Sequence, residues 1–173
     1  GNGNDIISSQ IGFDIVDAGA GNDTLTFRSD NQVLIGGQGA DQFVITGIGN
    51  HGGALIADFK PWEGDDLKLD SNWLESFMSG ESRPGELSYD DVSFNVAEYS
   101  LGLNSRELVI TAEFSFGTGN NNIGFDVLRI QYNSDRDKAW DQVDLAMHQL
   151  VESAQDTAHD IPRWTVTDLS HMT

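Results

Sequence analysis

The residues in this sequence best placed to do chemistry are aspartates at a nine-residue spacing, most of them two residues after a glycine. With the Asp set at the sixth position of each nine-residue unit, the sixth positions are Asp5, Asp14, Asp23, Gln32, Asp41 and Asn50. The fourth positions are Gly3, Gly12, Gly21, Asp30, Gly39 and Ile48. Short carboxylates held close to the backbone, in turns that glycine makes possible, bring oxygen atoms together. A hard cation such as Ca²⁺, which takes about 6–8 oxygens at roughly 2.3–2.6 Å, is the partner for such a group.

The elements that must position these carboxylates follow from the same period. The eighth positions are Ile7, Val16, Leu25, Leu34 and Phe43, then Gly52, where the pattern ends. Nine is neither a helical nor a strand period, so the repeat describes a supersecondary unit. Six residues rich in Gly and Asp form a turn, and three form a short strand with its middle side chain pointing inward. Successive strands then fall alternately on two facing sheets, and one full circuit takes two units. The turns Gly1-Asn2-Gly3-Asn4-Asp5, Ala18-Gly19-Ala20-Gly21-Asn22-Asp23 and Gly36-Gly37-Gln38-Gly39-Ala40-Asp41 recur at that interval and stack on one edge. The opposite edge is poorer, with Gln32 at an Asp position and Gly49 and Asn50 in its last turn. It is expected to be uncharged and held by side-chain pairing, the alternative being a half-formed site around Gly12 and Asp14.

Composition agrees with acidic turns. The chain has 173 residues, 28 acidic against 9 basic, and a formal charge of −19. Asp outnumbers Glu by 20 to 8, a bias that a surface acidified only for solubility does not need. Such a balance argues against nucleic acid, whose binding requires clustered Lys and Arg. The absence of cysteine excludes disulfides, thiolate metal sites and thiol nucleophiles. No apolar run approaches the length of a membrane-spanning helix. The opening Gly-Asn-Gly-Asn-Asp is neither a signal peptide nor a natural start, and reads as a cut through a longer periodic chain.

The nonapeptide resembles the G-G-x-G-x-D-x-U-x unit of the RTX (repeats-in-toxin) family. The resemblance implies a parallel β-roll in which each Ca²⁺ lies between turns one circuit apart. The earlier turn gives its second and fourth carbonyls and its Asp; the later gives its first and third carbonyls and its Asp. Carried onto this sequence, one site uses Gly1, Gly3, Asp5, Ala18, Ala20 and Asp23. The next uses Gly19, Gly21, Asp23, Gly36, Gln38 and Asp41.

Residues 54–70 read as a strand, a turn at Lys60 to Gly64 containing Pro61, and a second strand. They are expected to cap the open end of the repeats, a need common to stacked repeats. The segment is similar to the I-x-D-F … G-x-D-x-L-x-L stretch after the last repeat of RTX proteins, in serralysin-type proteases and large adhesins alike. That likeness implies that Asp65 joins a further calcium near Asn50; a solvated turn carboxylate is the other reading.

The second half reads as strands and then a helix. Leu108 to Phe116 alternates strictly, Phe125 to Tyr132 returns after the loop Gly117 to Asn122, and Tyr89–Val96 and Ser100–Leu103 are further candidates. An antiparallel sheet packed on the repeats is expected, as in serralysin-like C-termini. From Asp135 to Ala154 the period is helical, with Trp140, Val143, Met147, Leu150 and Ala154 on one face. Asn133, Asp135, Asp137, Asp141 and Asp144 also match ligand positions of an EF-hand loop, but Lys138 replaces its glycine and the helix is preferred. The fold expected is therefore predominantly all-β: a parallel roll over 1–53, a capping segment over 54–78 and a β region with one amphipathic helix over 79–173.

Catalysis finds no support. His51, His148, His159 and His171 form no H-E-x-x-H motif, and no G-x-S-x-G elbow or phosphate-cradling loop occurs. The reading is a non-catalytic calcium-binding module of a larger secreted or cell-surface protein, a hydrolase or an adhesin. The resemblance implies export by type I secretion machinery and folding on Ca²⁺ outside the cell. The alternative is an adhesin region that binds a partner or surface through residues 85–173.

Overall fold

The computed structural model describes residues 1–10, 12–48, 53–69, 92–101, 105–115, 122–132, 140, 141, 143, 145 and 163–167. The first half has seven strands, the first five in step with the nine-residue unit: β1 (Ile6–Ser9), β2 (Ile15–Ala20), β3 (Thr24–Ser29), β4 (Val33–Gln38), β5 (Gln42–Ile48), β6 (Ala54–Ile56) and β7 (Asp66–Leu69). Four more follow: β8 (Val92–Ser100), β9 (Arg106–Ser115), β10 (Asn122–Tyr132) and β11 (Arg163–Thr167). The chain is predominantly β.

Odd and even strands separate into two sheets. One has the order β1-β3-β5-β7, and the other β11-β8-β9-β10-β6-β4-β2. Every pairing among β1 to β7 is parallel. Ile6 pairs with Thr24 and Thr24 with Gln42, so the chain returns to the same sheet every 18 residues. The circuit then lengthens: Val33 pairs with Leu55, and Gln42 with Asp66, where the corresponding hydrogen bond spans 24 residues. Residues 54–69 thus add one more strand to each sheet, and do so in register with the repeats.

Alternation along each strand explains the core. Leu25, Leu34 and Phe43, at the eighth position, are at most 1% exposed. So are Ala18, Phe27 and Ile45, two residues further on. These inward residues from both sheets form one cluster with Ile56, Phe59 and Leu67, and Phe43 meets Phe59 edge-on at 6.0 Å between ring centroids. Ile7 and Val16 are only partly covered, because β1 and β2 are the outer strands of their sheets.

The second half continues the even sheet edge to edge. β10 pairs parallel with β6, matching Leu128 to Ala54, and then antiparallel with β9. β9 pairs antiparallel with β8, which β11 flanks in parallel. The expected antiparallel sheet is therefore joined to the repeats through backbone hydrogen bonds, where packing against them was expected. Of the candidate strand Ser100–Leu103, Ser100 ends β8 and the Leu101 N–H donates to the Ser105 carbonyl at 2.9 Å ahead of β9; residues 102 and 103 lie outside the described residues. Leu108, Ile110, Leu128, Ile130 and Tyr132 are buried, as their alternation predicts. On the other face Arg129 forks onto Glu107, with Nε 2.7 Å from Oε1 and Nη2 3.1 Å from Oε2. Of the helix expected over 135–154, Trp140, Asp141, Val143 and Leu145 are described and helical; the rest lies outside the described residues, as does residues 70–91 of the segment after β7.

Phe43 sits where the two sheets and Phe59 meet, so Phe43→Ala should cost about 3–5 kcal/mol. Urea unfolding followed by far-UV circular dichroism checks this, and a loss below about 1 kcal/mol would contradict the packing described.

Candidate metal centre

The inward alternation that buries Leu25 and Phe43 also turns the sixth-position Asp23 and Asp41 inward, while Asp5 and Asp14 are exposed. Asp23 and Asp41 are each 1% exposed, and Asp65 2%. They form a column along one edge of the two sheets. The Asp5 N–H donates to Asp23 Oδ1 at 2.7 Å, the Asp23 N–H to Asp41 Oδ1 at 2.9 Å, and the Asp41 N–H to Asp65 Oδ1 at 3.0 Å. One oxygen of each carboxylate is thereby held by the layer before it. The other oxygen of Asp23 and of Asp41 is buried and accepts no hydrogen bond. A buried carboxylate oxygen without a donor is costly, and it calls for a positive partner.

The glycines bring the layers into contact. Gly19, Gly21, Gly37 and Gly39 have φ of 106°, 137°, 101° and 124°. A Cβ on Gly37 would lie 1.8 Å from the Gly19 carbonyl oxygen, and one on Gly39 would lie 2.0 Å from that of Gly21. The carbonyls of Gly1 and Gly3 abut Gly19 and Gly21 in the same way. Only glycine permits so close an approach of one turn to the next. The Gly3 N–H donates to the Ala20 carbonyl at 2.6 Å, and the Gly21 N–H to that of Gln38 at 2.9 Å. The amino terminus of Gly1 donates to the Ala18 carbonyl. Gly36 lies against the Asp41 carboxylate, with no room for a side chain between them.

The structure thus brings Gly1, Gly3, Asp5, Ala18, Ala20 and Asp23 together across the first gap. Gly19, Gly21, Asp23, Gly36, Gln38 and Asp41 meet across the second. Sequence reasoning missed two contributors to this edge, Asn4 and Asn22. The Asn22 N–H donates to Asn4 Oδ1 at 2.8 Å, and the Ala40 N–H to Asn22 Oδ1 at 3.0 Å, which ties the layers outside the carboxylate column. Their recurrence at 18 residues was the available signal.

The opposite edge, expected to be uncharged, carries two carboxylates: Asp30 is buried, and the exposed Asp14 is met by neutral groups. Ser9 Oγ donates to Asp14 Oδ2 at 2.6 Å, and Gln32 Nε2 donates to Ser9 Oγ at 2.9 Å. Gln32 is fully buried at the position where an Asp would stand. Asp14 therefore meets a hydroxyl, and Gly12, with φ 110°, has open space beside it. Asn50 lies outside the described residues.

Asp65 stacks one layer beyond Asp41, on the edge formed by the three best turns. Its burial rules out the solvated-carboxylate reading. Both of its oxygens are engaged, Oδ1 by the Asp41 N–H and Oδ2 by the Lys60 N–H at 2.7 Å. Asp58, the Asp of the I-x-D-F stretch, was given no role from sequence. Its Oδ1 and Oδ2 accept the N–H groups of Gly36 and Gly37, each at 2.9 Å. Lys60, likewise given no role, donates its ammonium to the Gly37 carbonyl and to Asp58 Oδ2, the latter at 3.2 Å. Loss of solvation pushes the Asp65 carboxyl up to about 7, against the pull of the two N–H donors and with further upward pressure from the charges of Asp41 and Asp58. Burial likewise raises Asp41, which the neighbouring Asp23 and Asp58 charges reinforce.

Among the described residues, no three acidic or histidine side chains converge on one point. What this edge offers a cation is pairs of carboxylates and backbone carbonyls. Paired Asp oxygens without donors, carbonyls from glycine-rich turns and the absence of softer ligands suit a hard, oxygen-seeking ion. The four histidines and the EF-hand candidates Asn133, Asp135, Asp137 and Asp144 lie outside the described residues; Asp141 is exposed on the helix. No protein-family model, curated protein or solved structure matches this chain.

In metal-free protein the raised Asp65 gives stability a definite pH dependence. Between 3.8 and about 7 the folded chain keeps a proton that the unfolded chain has released. The stabilising contribution is full below that window and is lost as pH rises through it. With chelator present, urea unfolding should show lower stability at pH 7.5 than at pH 4.5. Asp65→Asn should flatten that slope, leaving the part due to Asp41; a wild-type stability that rises over the window would contradict the assignment.

Proposed function

We propose that this chain is a calcium-binding β-roll module of the RTX type, whose folding is completed by Ca²⁺. The observation that carries the proposal is the pair of buried oxygens, Asp23 Oδ2 and Asp41 Oδ2, that accept no hydrogen bond on the edge where the glycine turns stack. The nine-residue period and the 18-residue parallel register support it from sequence and from strand pairing respectively. The ions would be held by Gly1, Gly3, Asp5, Ala18, Ala20 and Asp23, and by Gly19, Gly21, Asp23, Gly36, Gln38 and Asp41. A bound Ca²⁺ supplies positive charge to carboxylates that otherwise repel one another in a desolvated gap.

The protein's own part is to hold those oxygens in place. The positive-φ glycines let the turns meet, the N–H ladder fixes one oxygen of each Asp, and the apolar rows behind the column keep water away. Because the unfolded chain has no such arrangement, binding free energy becomes folding free energy. With a charge of −19 the metal-free chain resists compaction, and raising calcium removes that resistance. This behaviour suits a protein that crosses a secretion channel unfolded and folds outside the cell, where calcium is abundant. The module is read as non-catalytic, supporting the export and stability of a larger secreted or surface protein through type I machinery. Among the described residues no helix is long and apolar enough to cross a membrane.

Calcium titration into chelated protein should increase the far-UV β signal and raise the urea midpoint. Asp23 belongs to both sites, so Asp23→Asn should weaken calcium affinity at least tenfold at each, read by isothermal titration calorimetry. Asp41→Asn should weaken only one. A spectrum and stability indifferent to calcium would refute the proposal.

A further inference from the structure

The gap below Asp41 differs from the two above it. In those, the column offers Asp23 Oδ2 and Asp41 Oδ2 without donors. Below, between the Gly36–Asp41 turn and residues 58–65, the carboxylates that residues 58–65 bring are already matched. Asp65 has a donor on each oxygen. Asp58 accepts from two backbone N–H groups and from the Lys60 ammonium. That ammonium also takes the carbonyl of Gly37, the equivalent of Gly19, whose carbonyl points into the gap above.

We infer that Lys60 is a tethered cation that ends the ion column: its ammonium takes the place of a divalent ion beneath the Gly36–Asp41 turn, so this gap binds no calcium. The inference rests on the calcium reading above and adds a limit to it. Three structural features support the placement. Lys60 is carried by the turn that closes the last layer, where the Glu63 N–H donates to its carbonyl at 2.9 Å. Its side chain is three-quarters buried, at 25% exposure, and so is that of Asp58, at 21%. Gly64, with φ 105°, fits under Ala40, which fixes residues 58–65 as a fourth layer of the stack. A lysine ammonium has three donors and a single charge, enough for one carbonyl and one carboxylate, and as part of the chain it need not be captured from solution.

The test is the number of calcium ions per full chain, counted by native mass spectrometry and by calorimetry. Lys60→Met and Lys60→Gln, which remove the charge while keeping length, should each bind one ion more than the unmodified chain. Lys60→Arg should keep the unmodified count. In Lys60→Met/Asp58→Asn the added ion should be lost while the original ones remain. If the unmodified chain binds calcium and neither neutral variant gains an ion, the inference is overturned and the calcium reading stands. If the unmodified chain binds none, the calcium reading itself fails.

Discussion

Three buried carboxylates stacked one layer apart are the constraint around which the first half of this protein is arranged. Asp23, Asp41 and Asp65 point inward because they share an alternation with Leu25, Phe43 and Leu67. The apolar residues lower the dielectric around the charges, and the parallel register brings those charges onto one line. Neither tendency can be relieved without undoing the other: turning the carboxylates outward would slip the register and expose the apolar rows. The turns must therefore supply positive character locally. The main-chain N–H of each Asp does so for one oxygen, and the second oxygen determines what else the edge can hold.

The two edges resolve the same problem differently. On the opposite edge the position next in the unit is Gln32, and an amide, a hydroxyl and the Asp14 carboxylate form a short chain of hydrogen bonds. Asp14 there is exposed and met by a neutral donor, and the neutral Gln32 fills the buried position that an Asp holds on the acidic edge. On the acidic edge the column changes along its length, from oxygens without donors at Asp23 and Asp41 to a saturated carboxylate at Asp65. The strands behind it change too. Up to β7 each new strand comes from a further circuit, whereas β10 joins the even sheet from the second half and leads into antiparallel partners. The even sheet is thereby extended beyond the repeats, and the end of the acidic column is closed by residues 58–65.

The spacing of Asp, Gly and large apolar residues was sufficient to read the strand alternation between two sheets, the circuit length and the identity of the stacked turns, because each depends on a local period. The inward row that includes Ala18, Phe27 and Ile45 was harder to see, since its first member is Ser9 and its fourth is Gly36, and mixed polarity hides a period. The contacts of Asp58 and Lys60 were invisible for a different reason. The circuit lengthens to 24 residues before β7, so both residues fall out of phase with the nine-residue unit, as Asp65 does.

What the sequence determined alone is a chemistry: carboxylates and glycine carbonyls on one line, with apolar side chains behind them. Only the tertiary structure decided how that line ends, and that β10 continues the even sheet edge to edge. Both outcomes depend on contacts between segments distant in the chain, such as Leu128 against Ala54 and Lys60 against Gly37. No periodicity encodes those contacts, because they are set by which backbone groups and charges the folded layers leave to be matched.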